Sequence, residues 1–268
     1  MTSPPTQSGD ARETWNRMAE IYARDLDPRF APIVDLVVTA ARCRPGASVI
    51  DVGTGTGSVA LAASRLVGPA GHVLAVDISP EMLTVARERA TRDGASNVQF
   101  REGGAGSLPA PDASADAVVS SLCLMFVPDR ARAAQEFARV LRAGGRFAAS
   151  VWGPPERCDI VRLQQMVARA GGSAVRPEVS PVSLADPAPF LEQLRAAGIE
   201  ANARREQVSF SHDNLDQAFE IASIVARVTL SAHEQQRLKR EIADAMWPEP
   251  DAPRELHNEV VLITGHRL

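Results

Sequence analysis

Between Ala47 and Trp152 short apolar runs alternate with amphipathic ones, and this alternation restricts the fold more than any other feature of the chain. "ASVIDV", "HVLAVDI", "NVQFRE", "ADAVVSSL" and "RFAASVW" read as strands. "GSVALAASRL", "SPEMLTVARERATRDG" and "DRARAAQEFARVLRAGG" read as helices. The second of these has Ser79 as N-cap, Pro80 in its first turn and Gly94 at its stop; the third is capped by Asp129 and closed by Gly144. Strand, crossover helix, strand gives a parallel sheet covered by helices on both faces. Ahead of it, residues 1–9 read as disordered. A helix is expected over 11–25, with Trp15, Met18 and Tyr22 on one face, then a break at Asp27-Pro28 and a second helix over about 30–42. Beyond Trp152, helices are expected at about 158–170, 187–197, 214–228 and 231–247, with strands near 199–210 and over 258–267.

The turn after the first strand, "DVGTGTG", holds Gly53, Gly55 and Gly57 at alternate positions around Thr54. Glycine at that density costs backbone entropy. A ligand-free turn needs one glycine, so three imply that something lies against bare backbone. In open parallel sheets ligands bind at the carboxyl ends of strands. Here the turn also feeds a helix N-terminus, whose free N–H groups and dipole attract an anion. A dinucleotide site requires G-x-G-x-x-G. In this chain the third glycine comes one residue early and Ser58 stands in its place. Asp51 projects a carboxylate toward the turn, which repels a diphosphate and suits a ligand carrying an ammonium group.

"VIDVGTGTG", "VLAVDIS", "GGAGSLPAPDASADAVVSSLCLMFVPD" and "FARVLRAGGRFAASVWG" together resemble the class I S-adenosylmethionine-dependent methyltransferases, over about residues 45–153. The similarity is to the small-molecule branch that includes quinone-biosynthesis C-methyltransferases and antibiotic-tailoring enzymes. It implies a Rossmann-like α/β fold, a seven-stranded sheet with helices on both faces and a helical cap. The whole chain, 1–268, would form one domain: lid helices over 1–44, a cofactor core over 45–153, and C-terminal strands with substrate-cap elements over 154–268. By the same resemblance S-adenosyl-L-methionine is the cofactor. Asp77 would take the ribose hydroxyls and Ile78 the adenine face. Asp51 would face the methionine ammonium, and backbone near Ser120 the methionine moiety. Tyr22 would close over the site. Relatives carry an acid where Gly104 stands, so adenine recognition would pass to backbone around Ala105 or to Asp112. The implied reaction is O- or C-methylation of a small, mostly apolar metabolite in quinone or specialised metabolism. A non-methylating step such as a cyclisation is the alternative.

The rest of the sequence narrows the partners. A net charge of −4, with Lys239 the only lysine, does not favour nucleic acid. Three dispersed cysteines, Cys43, Cys123 and Cys158, offer neither a disulfide framework nor a metal site. No apolar run approaches a membrane span, and "MTSPPTQSGD" has no signal-peptide character, so a cytoplasmic protein is expected. Strand direction places His72 and His266 at the far edge of the sheet, and His233 falls in a Ser231–Glu234 capping box. His212 and His257 map to the cofactor edge and are the candidate general bases. Wide apolar faces, as in "LDQAFEIASIVARV", suit an apolar substrate or, alternatively, a homodimer contact.

Overall fold

The structure is a computed structural model that describes residues 7–172, 179–226 and 228–268. Its elements run α1 (Gln7–Ile21), a π-helical turn (Tyr22–Leu26), α2 (Asp27–Ala41), β1 (Ser48–Val52), α3 (Ser58–Val67), β2 (His72–Asp77), α4 (Pro80–Arg92), β3 (Val98–Glu102) and β4 (Ala115–Ser121). They continue as α5 (Arg130–Val140), β5 (Leu141–Trp152), α6 (Asp159–Ala170), α7 (Ala188–Ala196), β6 (Ile199–His212), α8 (Leu215–Ala226), α9 (Ala232–Met246) and β7 (Arg254–Arg267). The seven strands form one sheet in the order β3-β2-β1-β4-β5-β7-β6. All neighbours are parallel except β7, which runs antiparallel to both β5 and β6. This is the Rossmann-like seven-stranded arrangement the resemblance implies. The chain winds outward from β1 to β3 and then returns to β4, so the crevice at the switch point opens between the carboxyl ends of β1 and β4.

Both faces of the sheet are buried, and the period-two alternation of the strands divides them. Val49, Val73, Ala117, Val119 and Ala148 face α2 and α3 in a layer made mostly of valine and alanine. Ile50, Val52, Leu74, Val118 and Phe147 face the opposite way, into a larger core that holds most of the big side chains. Ser79 accepts from the Met82 N–H and Asp129 from the Arg132 N–H, so both predicted caps are present, as is the Ser231–Glu234 capping box.

Several boundaries differ from the sequence reading. Asp27-Pro28 does not break the N-terminal helix: α1 passes through the π turn directly into α2, with Pro28 in the first turn of α2, where no N–H is needed. Residues 1–6 lie outside the described residues, whereas 7–9 are already helical. α5 ends at Val140, four residues before Gly144, because Leu141 already pairs with Ala115. Finally, β6 and β7 are longer than expected. The β5–β7 ladder stops at Trp152–Val260, but β6 and β7 stay paired out to His212–Arg254. A two-stranded ribbon therefore overhangs the carboxyl edge of the sheet.

Candidate active site

The glycine turn is braced by two buried carboxylates. Asp77, at the end of β2, accepts from the Gly55 N–H at 2.8 Å with one oxygen and from the Ser79 N–H at 2.9 Å with the other. Each oxygen keeps a further lone pair, enough for a pair of hydroxyls. Burial raises the Asp77 carboxyl above its usual range, and the Ser79 and Gly55 N–H groups pull the other way. Asp51 is fully buried. Its Oδ2 accepts from the Thr54 hydroxyl at 2.6 Å, while Oδ1 makes no hydrogen bond of normal geometry; the Ala60 N–H lies near the carboxyl and favours its charged form. Burial pushes this carboxyl up to about 7; the Thr54 bond opposes the rise, and the neighbouring charge of Asp77 adds to it.

The three glycines have different reasons to be there. A Cβ on Gly53 would sit 2.2 Å from the Cys123 sulfur, so the bare backbone at this position accommodates the protein's own side chain. Cys123 reaches that place because Leu122, just past β4, adopts a left-handed φ of 52°, which a branched side chain resists. Burial raises the Cys123 thiol to about 12, so it is protonated and inert as a nucleophile at neutral pH. Gly57 has a φ of 91° and packs against Ala86 of α4. At Gly55 a Cβ would meet nothing within 4 Å, and this is where a ligand can lie against backbone. Ser120 is buried and donates its hydroxyl to the Val52 carbonyl at 2.8 Å, clamping β4 to β1. Only its backbone is left for a ligand.

The N-terminal helices are tied to this turn by contacts the sequence reading missed. Asp27, buried where the π turn meets α2, accepts from the Thr56 hydroxyl and from Arg89 of α4. Arg89 also donates to the Thr56 carbonyl at 2.9 Å and the Ser58 hydroxyl at 3.2 Å. Ser79 donates to Asn16 of α1 at 2.7 Å. Tyr22 starts the π turn, a conformation common at functional sites. Its ring stands edge-on to Trp15 at 6.4 Å and to Phe30 at 6.1 Å. Burial, with Asp27, Cys123 and Asp77 nearby, raises the phenol far above its usual range, so it is a permanent hydrogen-bond donor.

On the adenine side, the loop after β3 closes through a Gly104–Ser107 bridge. Glu136 and Arg139 of α5 hold it, accepting from the Leu108 N–H at 2.9 Å and donating to the Ala110 carbonyl at 2.8 Å respectively. Ala105 is buried. A Cβ on Gly104 would meet only Ile78, at an ordinary 3.8 Å. Asp112 does not turn toward this loop; it is exposed and paired with Arg139 at 2.7 Å.

The two candidate bases separate. Both lie on the overhanging ribbon, but on opposite faces. His212 is in phase with buried Val208 and Phe210, whereas His257 is exposed and bonded through Nδ1 to Ser209 at 2.9 Å. His257 therefore faces away from the side that packs over the sheet edge. His212 is fully buried, and burial followed by the Arg29 charge lowers its pKa to about 4. Such a group is unprotonated near neutral pH, but its proton affinity is too low to draw a proton from an acceptor efficiently. Strand direction located the edge for both; side-chain alternation decided the face.

Among known proteins, a model of the methyltransferase domain family matches residues 50–149. Arsenite methyltransferase of Halobacterium salinarum is 43% identical over 110 residues, which is 41% of this chain and 28% of that protein. The ubiquinone/menaquinone biosynthesis C-methyltransferase UbiE of Vibrio campbellii is 37% identical over 119 residues, 44% of this chain and 46% of that one. The chain thus spans less than half the length of these curated relatives. Among solved structures, YcgJ of Bacillus subtilis aligns with a TM-score of 0.63 at 24% identity, covering 87% of this chain and 97% of that one. The [4+2]-cyclase SpnF aligns over 100% of both chains with a TM-score of 0.64 at 20% identity. These two share the fold. Residues 50–149, the glycine turn and the strands around it, thus match a methyltransferase domain, and the chain as a whole has the Rossmann-like fold of the class I S-adenosylmethionine-dependent methyltransferases.

Proposed function

We propose that the chain transfers the methyl group of S-adenosylmethionine to a small, largely apolar metabolite, by O- or C-methylation, in quinone or specialised metabolism. The observation that carries this reading is Asp51, a buried carboxylate with one oxygen satisfied by Thr54 and the other without a hydrogen bond of normal geometry, directly below the glycine turn. A buried acceptor left open calls for a donor, and a cationic donor most of all. The cofactor fits the residues present. Asp51 would meet its ammonium group, the open lone pairs of Asp77 its ribose hydroxyls, Ile78 one adenine face and the bare backbone at Gly55 the chain between them. When bound, S-adenosylmethionine supplies an electrophilic sulfonium methyl. What remains for the protein is to bind, align and exclude water, and Tyr22, pinned through Asp27 to the turn, would close the site from above. With His212 a weak base and His257 facing outward, the acceptor would arrive as a group that is already nucleophilic.

An arsenical acceptor has no support in the thiols. Cys43 packs in the valine-alanine layer, Cys123 lies over Gly53 and Cys158 contacts Asn258 across to β7. Among the described residues no group of histidine, cysteine, aspartate and glutamate is arranged to hold a metal ion. Incubation with methyl-labelled S-adenosylmethionine and a panel of phenolic, quinone and polyketide acceptors tests the proposal. Label should enter an acceptor. Conversion of an acceptor without label would favour the cyclisation alternative instead.

Gly104 supplies a finer test of the adenine side. Because a Cβ there meets only Ile78 and the backbone is not left-handed, Gly104→Asp should be tolerated and should restore an acceptor for the adenine amino group. S-adenosylhomocysteine is expected to bind about fivefold more tightly, on the order of 1 kcal/mol. Weaker binding by a folded variant, measured calorimetrically, would show that the loop does not face adenine.

A further inference from the structure

We infer that a flat, conjugated ring compound docks among the aromatic side chains beyond the glycine turn, with a hydroxyl or carbonyl at its far end hydrogen-bonded to His212. The inference relies on the methyl-transfer reading to make that compound the acceptor, but its binding can be tested independently of methyl transfer.

Aromatic residues are scarce here: three Trp, one Tyr and eight Phe in the whole chain. All three tryptophans and the only tyrosine nevertheless belong to one connected series of rings at the carboxyl edge of the sheet. From Trp15 and Tyr22 it runs to Phe30, and on from Phe30 to Trp152 and to Phe210, each at 5.5 Å. Phe210 then meets His212 at 6.0 Å, and His212 meets Trp247 at 6.5 Å. Three ring contacts thus separate Tyr22, beside the glycine turn, from His212 on the ribbon.

Packing alone accounts for the carbon rings but not for the imidazole. His212 is fully buried, and neither ring nitrogen makes a hydrogen bond of normal geometry, although the Gln217 side chain lies near enough to raise its pKa against the effect of burial. A phenylalanine or leucine would fill the same space without burying unpaired polar atoms. The charged and polar groups around it are already engaged with one another. Arg29 of α2 donates to the Ser211 carbonyl at 2.8 Å and to Gln217 at 2.9 Å, Gln217 of α8 donates to Asp213 at 3.1 Å, and Asp25 pairs with Arg24. The imidazole stays neutral at pH 7, held so by burial and by Arg29, and so presents one donor and one acceptor. That pair matches a neutral hydroxyl or carbonyl and not a carboxylate. These rings are buried and in mutual contact, so a flat ligand enters by parting them, and its two faces then take up the ring contacts they give up.

Equilibrium dialysis with 2-naphthol and 2-methylnaphthalene, in the absence of cofactor, tests this. The two probes share shape and ring system and differ in one hydroxyl. The wild-type chain should bind 2-naphthol about tenfold more tightly. His212→Phe should abolish that preference while retaining 2-methylnaphthalene, and His212→Gln, which keeps a donor and an acceptor, should recover part of it. Equal affinity of the two probes for the wild type, a preference that survives in His212→Phe, or no binding of either probe would each overturn the inference. S-adenosylhomocysteine affinity within about twofold of wild type certifies that the variants are folded. If instead the wild type fails to bind S-adenosylhomocysteine while still preferring 2-naphthol, the methyl-transfer reading fails and the aromatic site stands; melting curves then serve as the folding control.

Discussion

Replacing Asp77 with alanine is expected to weaken S-adenosylhomocysteine binding by roughly 10²-fold or more. The carboxylate does two jobs. Its oxygens accept from the Gly55 and Ser79 N–H groups, which fixes the end of β2 against the glycine turn, and in the proposed function its remaining lone pairs would take two ribose hydroxyls. Charge-assisted hydrogen bonds contribute about 1.5–3 kcal/mol each, so losing two at the low end already exceeds a hundredfold. The free protein holds this carboxylate at a cost, since burial raises its pKa. Alanine removes that cost, so melting of the unliganded variant should be little changed or slightly higher, offset by the two backbone donors left open. The combination of intact folding and lost affinity separates a ribose contact from a purely structural brace. An unchanged dissociation constant in a folded Asp77→Ala chain would refute the ribose role.

The parts of the fold that are written locally were legible in the sequence. Strand and helix alternation, the caps at Ser79 and Asp129, and the glycine turn all depend on residues within a few positions of one another. The glycine motif was only half readable. Gly55 is open backbone, but Gly53 is a glycine because of Cys123, seventy residues away, and no spacing rule announces that. The Asp27, Thr56 and Arg89 contacts are similarly long-range, and the Asp27-Pro28 pair, read locally, suggested a helix break. The ribbon carried a weak signal that was readable in principle. In "QVSFSH" every second residue is apolar or aromatic up to His212, and extending β6 through it would have put His212 on the buried face with Phe210 and left His257 out of phase with Leu256. The short apolar core of the strand drew the boundary too early.

Asp51 makes cofactor binding depend on pH in a direction that follows from its burial. In the free protein its carboxyl titrates at about 7, far above the ordinary 3.8, because the charged form is poorly solvated. A bound ammonium group favours the ionised form and returns the pKa toward the acid range, so below pH 7 binding must release a proton. Affinity for S-adenosylhomocysteine should therefore be level above pH 7 and fall by up to tenfold per pH unit beneath it, approaching 10²-fold between pH 7 and pH 5. Folding of the free chain follows the opposite sense. A carboxyl whose folded pKa is raised contributes stability that is full below about pH 4 and is lost as pH rises through 7. The melting-temperature gain conferred by S-adenosylhomocysteine should accordingly widen from pH 5 to pH 7 in the wild type. In Asp51→Asn, which cannot ionise but keeps an acceptor for Thr54, affinity at pH 7 should drop and its pH dependence should flatten to whatever Asp77 contributes. Calorimetry in two buffers of different ionisation enthalpy counts the protons directly. Close to one proton more released at pH 6 in the wild type than in Asp51→Asn is the expected result, and equal proton counts in the two proteins would remove Asp51 from the ammonium site.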